Sequence, residues 1–131
     1  MIEVRVEGLL LDNVNNSPVV LLREIDGDRV LPIFIGPLEA SAIAYALEKT
    51  QFPRPLTLDL MRRIVASLNG RLCRVIITKI EHDTFFAELI VECGDRVVSI
   101  DARPSDSVGL ALRAEVPIYV AEEVMDKAGQ F

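Results

Sequence analysis

One histidine and two cysteines among 131 residues leave little with which to build a soft-metal centre or a nucleophilic triad. The histidine, His82, sits in a turn with no serine or cysteine pattern around it, which reads as a solvent-facing turn residue. There is no CxxC, no HExxH, no glycine-rich phosphate loop and no dinucleotide fingerprint. Any metal would therefore be a hard ion held by carboxylates, Mg²⁺ or Mn²⁺, and no organic cofactor is expected. No apolar run approaches the ~20 residues that a membrane span needs. The start, MIEVRVEGLL, lacks the basic stretch and long apolar block of a secretion signal. Cys73 and Cys93 each lie inside an apolar strand pattern and read as reduced thiols, so the expected location is cytoplasmic, with no membrane partner. Positive charge is also short: the net charge is −6 and the pI near 4.8, which argues against strong nonspecific binding of nucleic acid. A local basic patch is still allowed, and Arg54, Arg62, Arg63, Arg71 and Arg74 lie close in sequence. Arginine suits bidentate contact with phosphate, and it suits surface ion pairs equally well.

Half of the residues are hydrophobic and the mean hydropathy is +0.33, enough for a proper core. Ile2, Val4 and Val6 alternate with charged residues as a half-buried strand does. Asp12–Asn16 and Asp26–Asp28 are turns, and Pro18–Arg23 and Val30–Ile35 are apolar strands between and after them. Pro37 opens a helix that runs to about Lys49, apolar nearly all round and so expected to be buried on more than one side. Gln51–Pro55 is a stiff connector. Thr57 is placed to cap a second helix whose apolar stripe is Leu60, Met61, Ile64, Val65 and Leu68, ending at Asn69-Gly70. Two long strands follow, Leu72–Ile80 and Thr84–Cys93, the second turning Phe85, Ala87, Leu89, Val91 and Cys93 to one side. Arg96–Asp101 is a sixth strand, Pro104 starts a third helix, Pro117–Val120 is a short strand, and Ala121–Lys127 a weak final helix.

The chain also echoes itself. VLPIFIGPLEASAIAYALE (Val30–Glu48) lies over VVSIDARPSDSVGLALRAE (Val97–Glu115), with Pro37 on Pro104, Glu39 on Asp106 and Glu48 on Glu115. The expected fold is α+β in one domain over residues 1–131: two similar βββα halves forming a largely antiparallel or mixed sheet packed with helices.

Two constellations carry charge at helix starts. In Asp101-x-Arg103-Pro104-Ser105-Asp106, Asp106 falls on the third helical position, where a carboxylate caps free N–H groups and meets the helix dipole, as Glu39 does in the other copy. Alternatively Asp101 and Asp106 share a divalent ion while Arg103 and the helix N-terminus take a phosphate. In Arg54-Pro55-x-Thr57-x-Asp59, two prolines hold Arg54 before free N–H groups that could bind an anion. The plainer account is a capped helix with Asp59 paired to Arg62 or Arg63.

The segments VLPIFIGPLEASAIA, FPRPLTLDLM, TFFAELIV, IDARPSDSVGLALR and PIYVAEEV, in that order, resemble the bifunctional nuclease domain family of bacteria and plants. The resemblance implies an α+β domain that self-associates as a homo-oligomer, dimer or higher, and a nuclease acting on DNA and RNA. The positions carried over by motif are Glu39, Arg54, Thr57, Asp59, Asp101, Arg103, Ser105 and Asp106. The family pattern places histidine between that Thr and Asp; here the place holds Leu58. The expectation is low-specificity, divalent-metal-assisted phosphodiester hydrolysis. Arg54 and Arg103, with Thr57 and Ser105, would hold phosphate; Asp59, Asp101, Asp106 and Glu39 would activate water, with Asp101 and Asp106 as metal ligands. The alternative is a non-catalytic module that binds nucleic acid, a nucleotide or a protein partner.

Overall fold

The computed structural model describes residues 1–131. Its elements are β1 (Ile2–Asp12), β2 (Ser17–Glu24), β3 (Val30–Phe34), α1 (Pro37–Leu47), α2 (Thr57–Ser67), β4 (Gly70–Glu81), β5 (Thr84–Cys93), β6 (Arg96–Ala102), α3 (Pro104–Ala114), β7 (Ile118–Val120) and α4 (Glu122–Ala128). The strands form one seven-stranded sheet in the order β3-β2-β1-β7-β4-β5-β6. Every neighbouring pair is antiparallel except β4 and β7, so the sheet is mixed and the α+β expectation holds. No helix is long and apolar enough to cross a membrane.

Alternation along each strand selects the core face. On β5, Ala87, Leu89 and Val91 join the core, with Phe85 and Cys93 packed against it, as their spacing predicts. The tight β4–β5 turn puts His82 and Asp83 at φ 51° and 62°, the left-handed region that short polar side chains tolerate best. All four helices feed one 20-residue core cluster, through Ile43 of α1, Leu58 of α2, Val108, Leu110 and Ala111 of α3, and Val124 and Met125 of α4. Cys73 and Cys93 are free and half-buried.

Strand directions set a geometric problem. β3 runs parallel to β1, β6 parallel to β4, and β1 is antiparallel to β4 through β7. β3 and β6 therefore exit at diagonal corners of the sheet. A twist of roughly 20–25° per strand turns the sheet about 120–150° over six steps, which swings those corners toward each other. Register shifts at Val6/Gly8, Leu72/Arg74 and Ile77/Lys79 add to the coil. The outcome is that α1 and α3 lie side by side and parallel. Their starts meet at Glu39 and Arg103, and their ends at Lys49 and Glu115, 3.3 Å apart.

Three local expectations are corrected. Thr57 is the first residue of α2, not its cap; Leu56 takes the cap position without a side-chain bond. The core side of α2 is Leu58, with Met61 and Val65 half-buried, while Leu60, Ile64 and Leu68 face outward. Helical spacing fixes the period of an apolar stripe but not which of two stripes meets the core, and Leu58 wins because it fits over Gly109. On α1 only Ile43 and Ala46 are fully buried; Leu38, Tyr45 and Leu47 are exposed, so one side and not several is covered. The end of α2 matches expectation, with Asn69 supplying the left-handed residue at φ 62°.

Gly109 is where α1 and α2 close on α3. A Cβ added there would stand 2.7 Å from Leu58 Cδ1 and 3.7 Å from Ile43 Cγ1. Gly109→Ala should therefore destabilise the protein by about 1–3 kcal/mol, read as a lower urea midpoint at unchanged slope. Trimming Leu58 in the same chain should recover part of that loss.

Arg29 ties the β2–β3 turn to α4. Its Nε donates to Glu24 Oε1 at 2.8 Å and its Nη1 to Asp126 Oδ1 at 2.9 Å. The Arg29 side-chain hydrogen bond holds the Glu24 carboxyl below the usual carboxylate range. A carboxyl whose folded pKa is depressed contributes stability above its unfolded pKa and loses it as pH falls through the folded value. Thermal unfolding should show an acid loss beginning below about pH 4.5 that flattens in Glu24→Gln.

Candidate active site

The starts of α1 and α3 form one polar site. Gly36 precedes α1 at its cap position and Arg103 precedes α3 at the equivalent place. Gly36 has no side chain, and the Glu39 carboxylate folds into the space that a Cβ there would fill. Arg103 reaches across. Its Nε donates to Asp106 Oδ2 at 2.8 Å and its Nη2 to Asp106 Oδ1 at 3.1 Å, a bidentate clamp, while Nη2 lies 3.7 Å from Glu39 Oε2. Asp106 raises the Arg103 pKa above its ordinary value most, and Glu39 adds to this. Ser107 Oγ donates to the Arg103 carbonyl at 2.9 Å, fixing the backbone that carries the guanidinium.

A cleft of about 450 Å³ opens over this pair, lined by Glu39, Arg103 and the buried Ser105, with Asp83 and Thr84 from the β4–β5 turn. Asp83 is a residue that sequence reasoning missed, since its motif speaks only of a turn. Two parallel helix N-termini concentrate partial positive charge here, and two carboxylates sit against it. Glu39 and Asp106 differ in freedom. Asp106 spends both oxygens on Arg103; Glu39 has only the long contact.

The other expected residues lie elsewhere. Asp101 pairs in register with Glu88, while its neighbour Ala102 pairs with Ala87 and packs on the core. By strand alternation Asp101 therefore points from the opposite sheet face, away from Asp106. Exposed Arg54 and Thr57 line neither of the two main clefts. Asp59 lines the other cleft, where its Oδ1 is 3.5 Å from Arg113 Nε, and not Arg62 or Arg63 as the spacing suggested. Arg103 and Arg113 stand at opposite ends of α3, about 15 Å apart at 1.5 Å per residue. The structure thus brings Glu39, Arg103, Ser105 and Asp106 together, and leaves Asp101, Arg54, Thr57 and Asp59 outside. Leu58 is buried against Gly109. A side chain at that position serves the α2–α3 contact.

The residues present do not assemble a cage for a resident divalent ion. No three of the His, Cys, Asp and Glu side chains converge, and Asp101 and Asp106 are on different sides of β6.

The family profile described as Bifunctional nuclease domain matches residues 20–131. An uncharacterized protein of Mycobacterium tuberculosis is 50% identical over 127 residues, spanning 97% of this chain and 76% of that protein. Bifunctional nuclease 2 of Arabidopsis thaliana is 31% identical over 116 residues, spanning 86% of this chain and 35% of the plant protein. Bifunctional nuclease 1 of Oryza sativa subsp. indica is 27% identical over 118 residues, 88% and 36% respectively. The chain spans about a third of the length of these plant relatives.

Proposed function

Because the chain belongs to the bifunctional nuclease domain family, we propose that it hydrolyses phosphodiester bonds of DNA and RNA with low sequence specificity, at the cleft between the starts of α1 and α3. The convergence of Glu39, Arg103 and Asp106 carries this reading. Arg103 and the free N–H groups of the two helix starts take the phosphate oxygens. Phosphate contacts hold a strand without reading its bases, which accounts for low specificity. Asp106 orients Arg103. Glu39, the freer carboxylate, accepts a proton from water as the water oxygen bonds to phosphorus and the bond to the leaving oxygen breaks. The leaving oxygen takes its proton from solvent. Any Mg²⁺ or Mn²⁺ would enter with the substrate, held by its phosphates and by water, a common habit of Mg²⁺, because Asp106 already spends both oxygens on Arg103. Half-buried free thiols at Cys73 and Cys93 support a cytoplasmic setting.

One observation favours a second reading, a binding module without turnover: the Arg103 clamp already occupies both oxygens of Asp106.

We also propose that the chain self-associates with a second copy of itself through the outward stripe of Leu56, Leu60, Ile64 and Leu68, which recurs every four residues along α2 and is 41–74% exposed.

Cleavage of RNA and single-stranded DNA, measured with Mg²⁺, Mn²⁺ or EDTA, tests the first proposal. Glu39→Gln should lower kcat about a hundredfold or more, and Arg103→Gln should weaken both rate and KM. Equal cutting by parent, Glu39→Gln and Asp106→Asn would end the site assignment, and tight binding with no cutting under any metal would establish the module reading. For self-association, light scattering of the parent should give a dimer or larger, and Leu60→Glu with Ile64→Glu the 14.5 kDa monomer; a monomeric parent sinks that proposal.

A further inference from the structure

A second cleft, of about 620 Å³, lies at the far ends of α1 and α3, walled by the α1–α2 connector, α2 and the start of β4. Its lining holds five cations, Lys49, Arg62, Arg63, Arg71 and Arg113, against two carboxylates, Asp59 and Glu115. In a chain of net charge −6 this is a local reversal of sign. The cleft is built around Arg113, whose side chain is only 10% exposed. Its Nη1 donates to the Thr50 carbonyl at 2.7 Å, and Arg62 Nη1 donates to the Arg113 carbonyl at 2.6 Å. The second bond offsets part of the negative charge that the C-terminal end of α3 would otherwise direct at a ligand, and the first covers a carbonyl in the connector that follows α1. Arg71 shares one nitrogen with Glu92 at 3.0 Å, and Lys49 pairs with Glu115. Arg63 is exposed and forms no ion pair, so its full fork of donors is open. Beside these groups lies Phe52, half-buried and held edge-to-face by Tyr45 at 5.1 Å between ring centroids.

An aromatic ring in one cleft with an unpaired guanidinium is the chemistry that takes one nucleotide of a single strand, base on ring and phosphate on arginine. We infer that this cleft anchors single-stranded nucleic acid through Phe52 and Arg63, with Arg62 and Arg71 as further phosphate donors. The inference deepens the nuclease reading and rests on it only for cutting; binding is measured separately. The anchor and the proposed hydrolytic cleft lie at opposite ends of α3, about 15 Å apart. A strand stacked as in a duplex, at about 3.4 Å per nucleotide, covers that distance in about four nucleotides and an extended one in fewer, but a dinucleotide has one phosphodiester and cannot engage both, so dinucleotides should be poor substrates.

Fluorescence anisotropy with labelled single-stranded oligothymidine, in EDTA and across a salt series, tests this on the whole chain. Arg63→Gln should weaken binding about fivefold or more and lower the log–log salt slope by about 0.7, one phosphate contact on a single strand. Phe52→Leu should weaken binding about fivefold or more and leave the slope alone. In the cleavage assay both variants should raise KM and keep kcat, whereas Glu39→Gln should lose kcat and keep the anisotropy Kd. If both cleft variants bind as the parent does, with the same slope, the anchor is wrong, even if the protein cuts. Displacement of the strand by polyglutamate as readily as by unlabelled oligonucleotide would also overturn it. If binding responds as stated and no form cuts, the anchor stands and the hydrolytic reading falls.

Discussion

The coil of the sheet is the constraint on which the rest depends. β7 fixes β1 and β4 in opposite directions, so the two three-stranded meanders send α1 and α3 off from diagonal corners. In a flat sheet Gly36 and Arg103 would lie far apart. Twist and the bulges in β1 and β4 bring the corners together, and Arg103 then spans from one helix start to the other. Chain reversal usually sets helices joined by short loops antiparallel; here α1 and α3 are neighbours in space but not in sequence, and they lie parallel. Gly109 lets this pair close up and admits Leu58 of α2 on its flank.

Parallel packing polarises the helical layer. Both N-terminal ends face one cleft and both C-terminal ends the other, where antiparallel partners would cancel. The sequence answers at each end. Glu39 and Asp106 stand at the positive end, and Lys49 and Arg113 at the negative end. Each acid is stabilised there by about 0.3–1 kcal/mol at most in an exposed setting. The structural and chemical accounts of Glu39 and Asp106 are therefore compatible: the dipoles that favour acidic side chains at these helix starts also make the place attractive to phosphate.

Most of the fold was legible because strands and turns announce themselves locally. Alternation in β5, the prolines at Pro37 and Pro104, and the reversal at His82-Asp83 all landed where their chemistry placed them. The internal echo paired Glu39 with Asp106, and the sheet brings the two starts that carry them into one site. What misled was grouping Arg54, Thr57 and Asp59 at the start of α2 with Arg103, Ser105 and Asp106 at the start of α3 as one site; no local signal says which helix start a coiled sheet will turn toward which. The phase of α2 was hidden for a related reason, because Leu60 and Leu58 are equally apolar and only the gap at Gly109 chooses between them. The side taken by Asp101 was readable in principle, since counting back one residue from the core-facing Ala102 puts it on the other face.

The three residues of β7 also govern the order of assembly. Ile118 pairs with Val4 near the start of the chain and with Val75 in its middle. On a translating ribosome both meanders would emerge before the segment that joins them, the first by far the earlier, each with a bare hydrogen-bonding edge along β1 or β4. Such edges recruit any strand at hand, so the nascent chain carries its greatest risk of aggregation in the interval before Pro117–Val120 appears.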